Sequence, residues 1–140
     1  MLNYLKTLRN SGLRATELRV AMLIYLHEHH GPFTVREIYE NLGRQGNLAT
    51  IYRNAEVFVE KGLAVTCDFD DGLVRYELRC DGHSHHHHMV CKKCRKWTKV
   101  DICLSESSFD QLKETGYQEI THKLEFFGIC PECAADHPAL

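Results

Sequence analysis

Residues 80–94 read C-D-G-H-S-H-H-H-H-M-V-C-K-K-C, a stretch with five of the chain's ten histidines and three of its seven cysteines. It divides the chain. A polar, glycine-containing connector (80–84) gives way to a short strand beginning in the histidine run, and the strand runs into a Cys knuckle. An expression tag lies at a terminus between linker residues, whereas this run is internal. Successive side chains of a strand point to opposite faces. His85 and His87 therefore face one way, His86 and His88 the other, each pair about 7 Å apart along the strand. Two separate metal sites, one per face, follow from that alternation.

Working back from the connector, residues 1–66 hold eight Lys/Arg against six Asp/Glu, and residues 67–140 hold nine against thirteen. The change of sign fits a nucleic-acid-facing first half and a metal-rich second half. The whole-chain charge of −2 excludes strong nonspecific affinity for DNA, so local charge must carry any contact. No leader and no long apolar run stands in the sequence, which argues against secretion and a membrane span. In a reducing cytoplasm, the expected location, paired cysteines are more often metal ligands than disulfides.

The first half reads as helices followed by a hairpin. Residues 2–10 suit a short helix. Thr16 caps a second, to about His29, with Leu18, Met22, Leu23 and Leu26 on one face, and Gly31-Pro32 stops it. Thr34 and Glu37 form a capping box, with Phe33 and Ile38 as its hydrophobic staple, for a third helix over 35–42. Asn47 caps a fourth, which buries Ile51, Ala55, Phe58 and Val59 and ends at Gly62. Strands at 63–69 and 73–78 flank Asp70-Asp71-Gly72, a hairpin signal. This is the pattern of a winged helix-turn-helix spanning 1–79. Its fourth helix would present Asn47, Ala49, Thr50, Tyr52 and Arg53 to the major groove, and Arg14 and Arg19, where the second helix begins, complete the expected DNA-binding set. Helical hairpins closed by a strand pair also occur in proteins that touch no DNA.

Beyond the connector, 85–140 reads as strand 86–90, Cys knuckle, strand 97–101, helix 105–115, strand 117–127 and a second knuckle. The chain as a whole is α+β, and the second unit's open sheet edges invite a partner. Cys91, Cys94, Cys130 and Cys133 supply four thiolates in two CxxC knuckles, a closed tetrahedral zinc shell whose role is structural. A thioredoxin-like use of CxxC needs a βαβ context that is missing. The His86/His88 face takes Cys80 as a further ligand. A thiolate with two imidazoles favours zinc. Cys67, Asp68 or Glu77 of the hairpin would supply the fourth donor; Cys67 alone is otherwise a small buried apolar residue. The His85/His87 face would be completed by Glu106 and by His122, which alternates in phase with Ile120, Leu124 and Phe126. Asp101 and Cys103 are spare donors, by default surface or core residues.

Four segments, L-R-A-T-E-L-R (13–19), N-L-A-T-I-Y-R (47–53), H-H-H-H-M-V-C-K-K-C (85–94) and F-F-G-I-C-P-E-C (126–133), resemble the ferric-uptake-regulator family of metal-responsive repressors over nearly the whole length. The resemblance implies a homodimer with winged-helix N-domains and α+β dimerisation C-domains, binding palindromic double-stranded operators when metal-loaded. It places Tyr52 and Arg53 on the family's recognition helix, the four knuckle cysteines on its structural zinc site, and His85, His87, Glu106 and His122 on its second site. Iron and peroxide sensors of the family usually carry a histidine just before the third helix and a carboxylate five residues after the CxxC; Pro32 and Lys99 stand there in this chain. Cys80, His86 and His88 instead match the zinc uptake regulator branch. That branch commonly draws a fourth ligand from the first wing strand, where Val65 stands here, so Cys67 is the substitute. The expectation is a zinc-sensing repressor of metal-uptake genes, using structural and regulatory Zn2+ and no small organic substrate. An iron or peroxide sensor is the alternative within the family. A zinc hydrolase, with Glu106 or Glu77 as base, is the alternative from another class.

Overall fold

The structure, a computed structural model, describes residues 3–79 and 86–136. The chain splits into two compact units, Met1–Cys80 and Asp81–Leu140.

In the first unit, α1 (Tyr4–Asn10), α2 (Glu17–His29), α3 (Val35–Asn41) and α4 (Leu48–Glu60) accompany strands β1 (Phe33–Thr34), β2 (Ala64–Asp68) and β3 (Val74–Leu78). The caps read from sequence are in place. Thr16 accepts from the Arg19 amide at 3.3 Å, and Asn47 from the Thr50 amide at 2.9 Å. Thr34 and Glu37 close both arms of the capping box, at 3.1 and 2.9 Å. The end of α2 is built differently from the expected Gly-Pro stop. His30 takes the left-handed conformation (φ 49°), and Gly31 is needed because a Cβ there would overlap the Phe33 ring. The sheet has order β1-β3-β2, all antiparallel. β1 was not expected: two residues leave no periodic signal, and they are extended only because β3 offers them an edge.

Each helix turns one face inward, and Leu8, Met22, Leu23, Leu26, Ile38, Ile51, Ala55, Phe58, Ala64 and Tyr76 are at most 2% exposed. Full burial of such a side chain contributes about 1.5–3 kcal/mol. The Tyr76 hydroxyl donates to Glu56, and burial together with that bond raises the phenol's pKa.

The second unit contains β4 (His87–Cys91), β5 (Trp97–Val100), α5 (Glu106–Lys113), β6 (Glu125–Gly128) and α6 (Pro131–Asp136). β4 is central in a sheet of order β5-β4-β6, antiparallel to β5 and parallel to β6. The strand expected at 117–127 shrinks to its last residues. Pairing on that side ends with His88 opposite Glu125, one residue inside the start of β4. Upstream, Gly116 and Glu119 have left-handed backbone (φ 84° and 52°) that no strand continues. The second knuckle also opens a short helix, α6, with Pro131 at its first position, where a missing N–H costs nothing.

Candidate metal centres and nucleic-acid interface

Parallel pairing of β4 with β6 sets Cys91 opposite Gly128 and so brings the two knuckles together. The sulfurs of Cys91, Cys94, Cys130 and Cys133 all lie within 4.8 Å of one another, with Cys94 Sγ and Cys130 Sγ 3.8 Å apart. Zinc with Zn–S bonds of about 2.3 Å at tetrahedral angles separates its sulfurs by about 3.8 Å. Backbone amides point into the cluster: Cys130 N–H donates to Cys91 Sγ at 3.4 Å and Cys133 N–H to Cys130 Sγ at 3.5 Å. The amides of Cys130 and Cys94 pull the Cys91 thiol down to about 5. Hydrogen bonding to Cys130, then burial, pushes the Cys133 thiol up to about 12. Four thiols packed this closely cannot all ionise unless a cation compensates them, and the donor set fits zinc.

The alternation expected of the histidine run holds for its described members. His87 and His88 point to opposite sides of β4, and His86 shares the side of His88, with ring centroids 5.0 Å apart. On that side His88 is 1% exposed. Its Nδ1 lies 3.0 Å from Glu125 Oε2, the same oxygen accepts its backbone N–H at 2.9 Å, and Trp97 packs edge-on at 5.4 Å. A carboxylate bonded to one ring nitrogen fixes the ring and leaves the other nitrogen as the ligand atom. Glu125 was not named from sequence; only the register of a parallel pair 37 residues apart reveals it. Cys80 lies outside the described residues. In the first unit, Cys67 and Glu77 are both 6% exposed and 3.4 Å apart, Sγ donating to Oε1. Asp68 is exposed and its Oδ1 accepts from the Asp70 amide at 2.8 Å, which leaves it serving the turn.

On the other side of β4, three donor atoms converge. His87 Nε2 is 3.3 Å from Cys103 Sγ and 3.3 Å from His122 Nε2, and Cys103 Sγ is 3.4 Å from His122 Nε2. His87 Nδ1 donates to the Leu124 carbonyl at 2.8 Å, which turns Nε2 toward the cluster as an acceptor. Phe109 packs on His122, and Phe126 edge-on against His87. Of the residues expected here, His87 and His122 meet. Glu106 does not join them: it stands exposed in the first turn of α5, and Cys103, in the irregular segment just before Ser105 caps that helix, occupies the corner. His85 lies outside the described residues. The sequence offered one clue to Cys103, a cysteine that belongs to neither knuckle nor to the Cys67/Cys80 pair assigned to the other face.

On α4 the faces separate cleanly. Ile51, Ala55 and Phe58 go inward, while Ala49, Tyr52 (51% exposed) and Arg53 face out. Asn47 Oδ1 serves the cap, accepting also from the Thr50 hydroxyl at 3.0 Å. Arg14 is exposed. Arg19 is fastened, its Nε donating to Asn54 Oδ1 at 3.1 Å and its Nη1 to the Arg14 carbonyl at 3.2 Å, so that it braces α2 against α4.

A helix-turn-helix with a wing, followed by a sheet carrying a four-thiol cluster and histidines on both faces, defines a metal-dependent DNA-binding regulator. Residues 10–127 match the ferric uptake regulator family, and the chain belongs to it. The chain is 32% identical over 138 residues to the ferric uptake regulation protein of Neisseria meningitidis serogroup A, covering 95% of this chain and 94% of that one. It is also 32% identical over 138 residues to the peroxide operon regulator of Bacillus subtilis, covering 93% and 90%. Among solved structures, the Vibrio cholerae ferric uptake regulator superposes with a TM-score of 0.72 at 26% identity, over 91% of this chain and all of that one. A zinc-bound manganese uptake regulator superposes at 0.64 and 25% identity, over 91% and 99%. The winged-helix fold and metal-responsive transcription regulation follow from this membership. Among the described residues, no helix is long and apolar enough to cross a membrane.

Proposed function

We propose that the protein is a zinc-responsive repressor that binds palindromic operator DNA as a cytoplasmic homodimer and controls metal-uptake genes. The observation that carries the reading is the splay of His87 and His88 to opposite faces of β4, which gives neighbouring imidazoles separate coordination shells. The structural zinc belongs to Cys91, Cys94, Cys130 and Cys133. The regulatory zinc belongs to His86 and His88, oriented through Glu125, with Cys80 of the connector and Cys67 of the wing as sulfur donors. Sulfur and nitrogen donors favour zinc over iron or manganese. Holding the connector still would let two recognition helices sit about 34 Å, or a multiple of it, apart on DNA. Switching the protein from mostly free to mostly bound takes roughly 5 kcal/mol of preference for the closed form. Apparent zinc binding to such donors, about 10 kcal/mol or more, is ample for that. The names of the relatives favour a second reading, an iron or peroxide sensor.

Operator retention measured across buffered zinc and iron series separates the two. Zinc should drive binding at the lower free concentration, and a response to iron alone would overturn the zinc reading. Arg53→Ala should weaken operator binding with zinc content unchanged; undiminished affinity would remove Arg53 from the interface.

A further inference from the structure

We propose that His87, Cys103 and His122 form a binding site for a thiophilic divalent cation of the zinc class, with the Cys103 thiolate in the place that the resemblance gave to the Glu106 carboxylate. Three observations carry it. First, the three donor atoms form a nearly equilateral triangle with edges of 3.3, 3.3 and 3.4 Å. Nitrogen ligands at about 2.0–2.1 Å and a sulfur at about 2.3 Å, set at tetrahedral angles, lie about 3.3–3.6 Å apart, so one ion reaches all three with little adjustment. Second, the site is oriented from behind. The Leu124 carbonyl accepts the Nδ1 proton of His87 and leaves Nε2 basic toward the triangle. Third, the surroundings are aromatic, with Phe109 and Phe126 against the two rings, and His87 itself is buried.

The substitution of sulfur for oxygen changes what the site selects. A carboxylate corner suits manganese and iron; a thiolate with imidazoles suits zinc and cobalt. Binding converts the Cys103 thiol to a thiolate and releases its proton to solvent. The ligand set is therefore one at which iron(II) and manganese(II) compete poorly. The second site then responds to the same class of ion as the four-cysteine cluster.

Metal binding tests this with no DNA present, so its failure is distinct from failure of the repressor reading. With zinc retained in the four-cysteine cluster, cobalt(II) is titrated into wild type, Cys103→Ser and Glu106→Gln. Any thiolates elsewhere contribute equally to all three, and only differences count. The near-ultraviolet thiolate-to-cobalt absorption should drop in Cys103→Ser by the share of one thiolate and stay at the wild-type level in Glu106→Gln. Zinc affinity of the site in Cys103→Ser should fall by at least the 10–100-fold that losing an outer-shell partner alone costs. Identical spectra for wild type and Cys103→Ser, or loss of the cobalt equivalent in Glu106→Gln, overturns the assignment. Cys103→Asp keeps a donor in the corner and guards against simple misfolding. It should move the zinc-to-manganese preference toward manganese by about tenfold or more, and an unmoved preference also overturns it.

Discussion

The two units solve the same problem by different chemistry. In the first, eleven buried side chains from four helices and two strands of the wing sheet make one apolar core. In the second, the only buried apolar residues among those described are Val90 and Cys91, the other buried side chains are His87 and His88, and neither α5 nor α6 buries anything. A unit of this size with so little apolar burial is marginal without a staple. Its interior is made instead of sulfur and imidazole, held where cations can join them. Apolar burial is indifferent to the metal content of the surroundings, whereas coordination depends on it. The winged-helix unit is thus built to stay folded by itself, and the unit carrying the four-cysteine cluster is built to depend on an ion.

The largest effect should come from taking the staple away. On the proposed zinc assignment, stripping the metal with a strong chelator under reducing conditions should remove a contribution of about 10–16 kcal/mol from the second unit, and Cys130→Ser a part of it. Hydrogen exchange should then show β4, β5 and β6 losing amide protection while α2 and α4 keep theirs. Retained protection in β4 without zinc would break the contrast, because Val90 and its few neighbours would then be core enough.

The converse change acts on the first unit. Phe58 is fully buried on the inner face of α4, and Phe58→Ala should cost about 3–5 kcal/mol through lost transfer energy and the cavity left behind. Thermal unfolding of the α2–α4 region should shift down while the bound zinc per chain stays at the wild-type value. A fall in zinc stoichiometry would show that the two units share their stability.

What the sequence disclosed divides along the same line. The first unit's helices were legible to within about two residues because their signals are local: a cap three residues from its partner amide, a glycine at a stop, apolar residues at helical spacing. The histidine alternation was legible because a strand has period two whatever surrounds it. The knuckles were legible from spacing alone. Cys103 was legible only as a spare donor, because it meets His87 and His122 across separations of 16 and 19 residues, through a segment with no regular structure. The extent of β6 failed for a related reason. Its start is set by where pairing with β4 stops, and nothing within 117–127 encodes that.

The smallest effect separates stability from recognition within α4, where Asn47 is both the expected cap and a candidate DNA contact, and its Oδ1 caps the helix at 2.9 Å from the Thr50 amide. Asn47→Ala should cost the first unit about 1 kcal/mol and leave zinc binding alone, since the lost bond belongs to the helix end. Asn47→Ser should restore that stability, because serine caps about as well as asparagine. Operator affinity then decides the residue's second role. If serine restores both stability and affinity, Asn47 acts on DNA only by holding the first turn of α4 in place for Tyr52 and Arg53. If stability returns and affinity does not, the Nδ2 group, which the cap leaves unused, reaches the operator itself, and the outward face of α4 extends one residue further toward its N-terminus than Ala49, Tyr52 and Arg53 define.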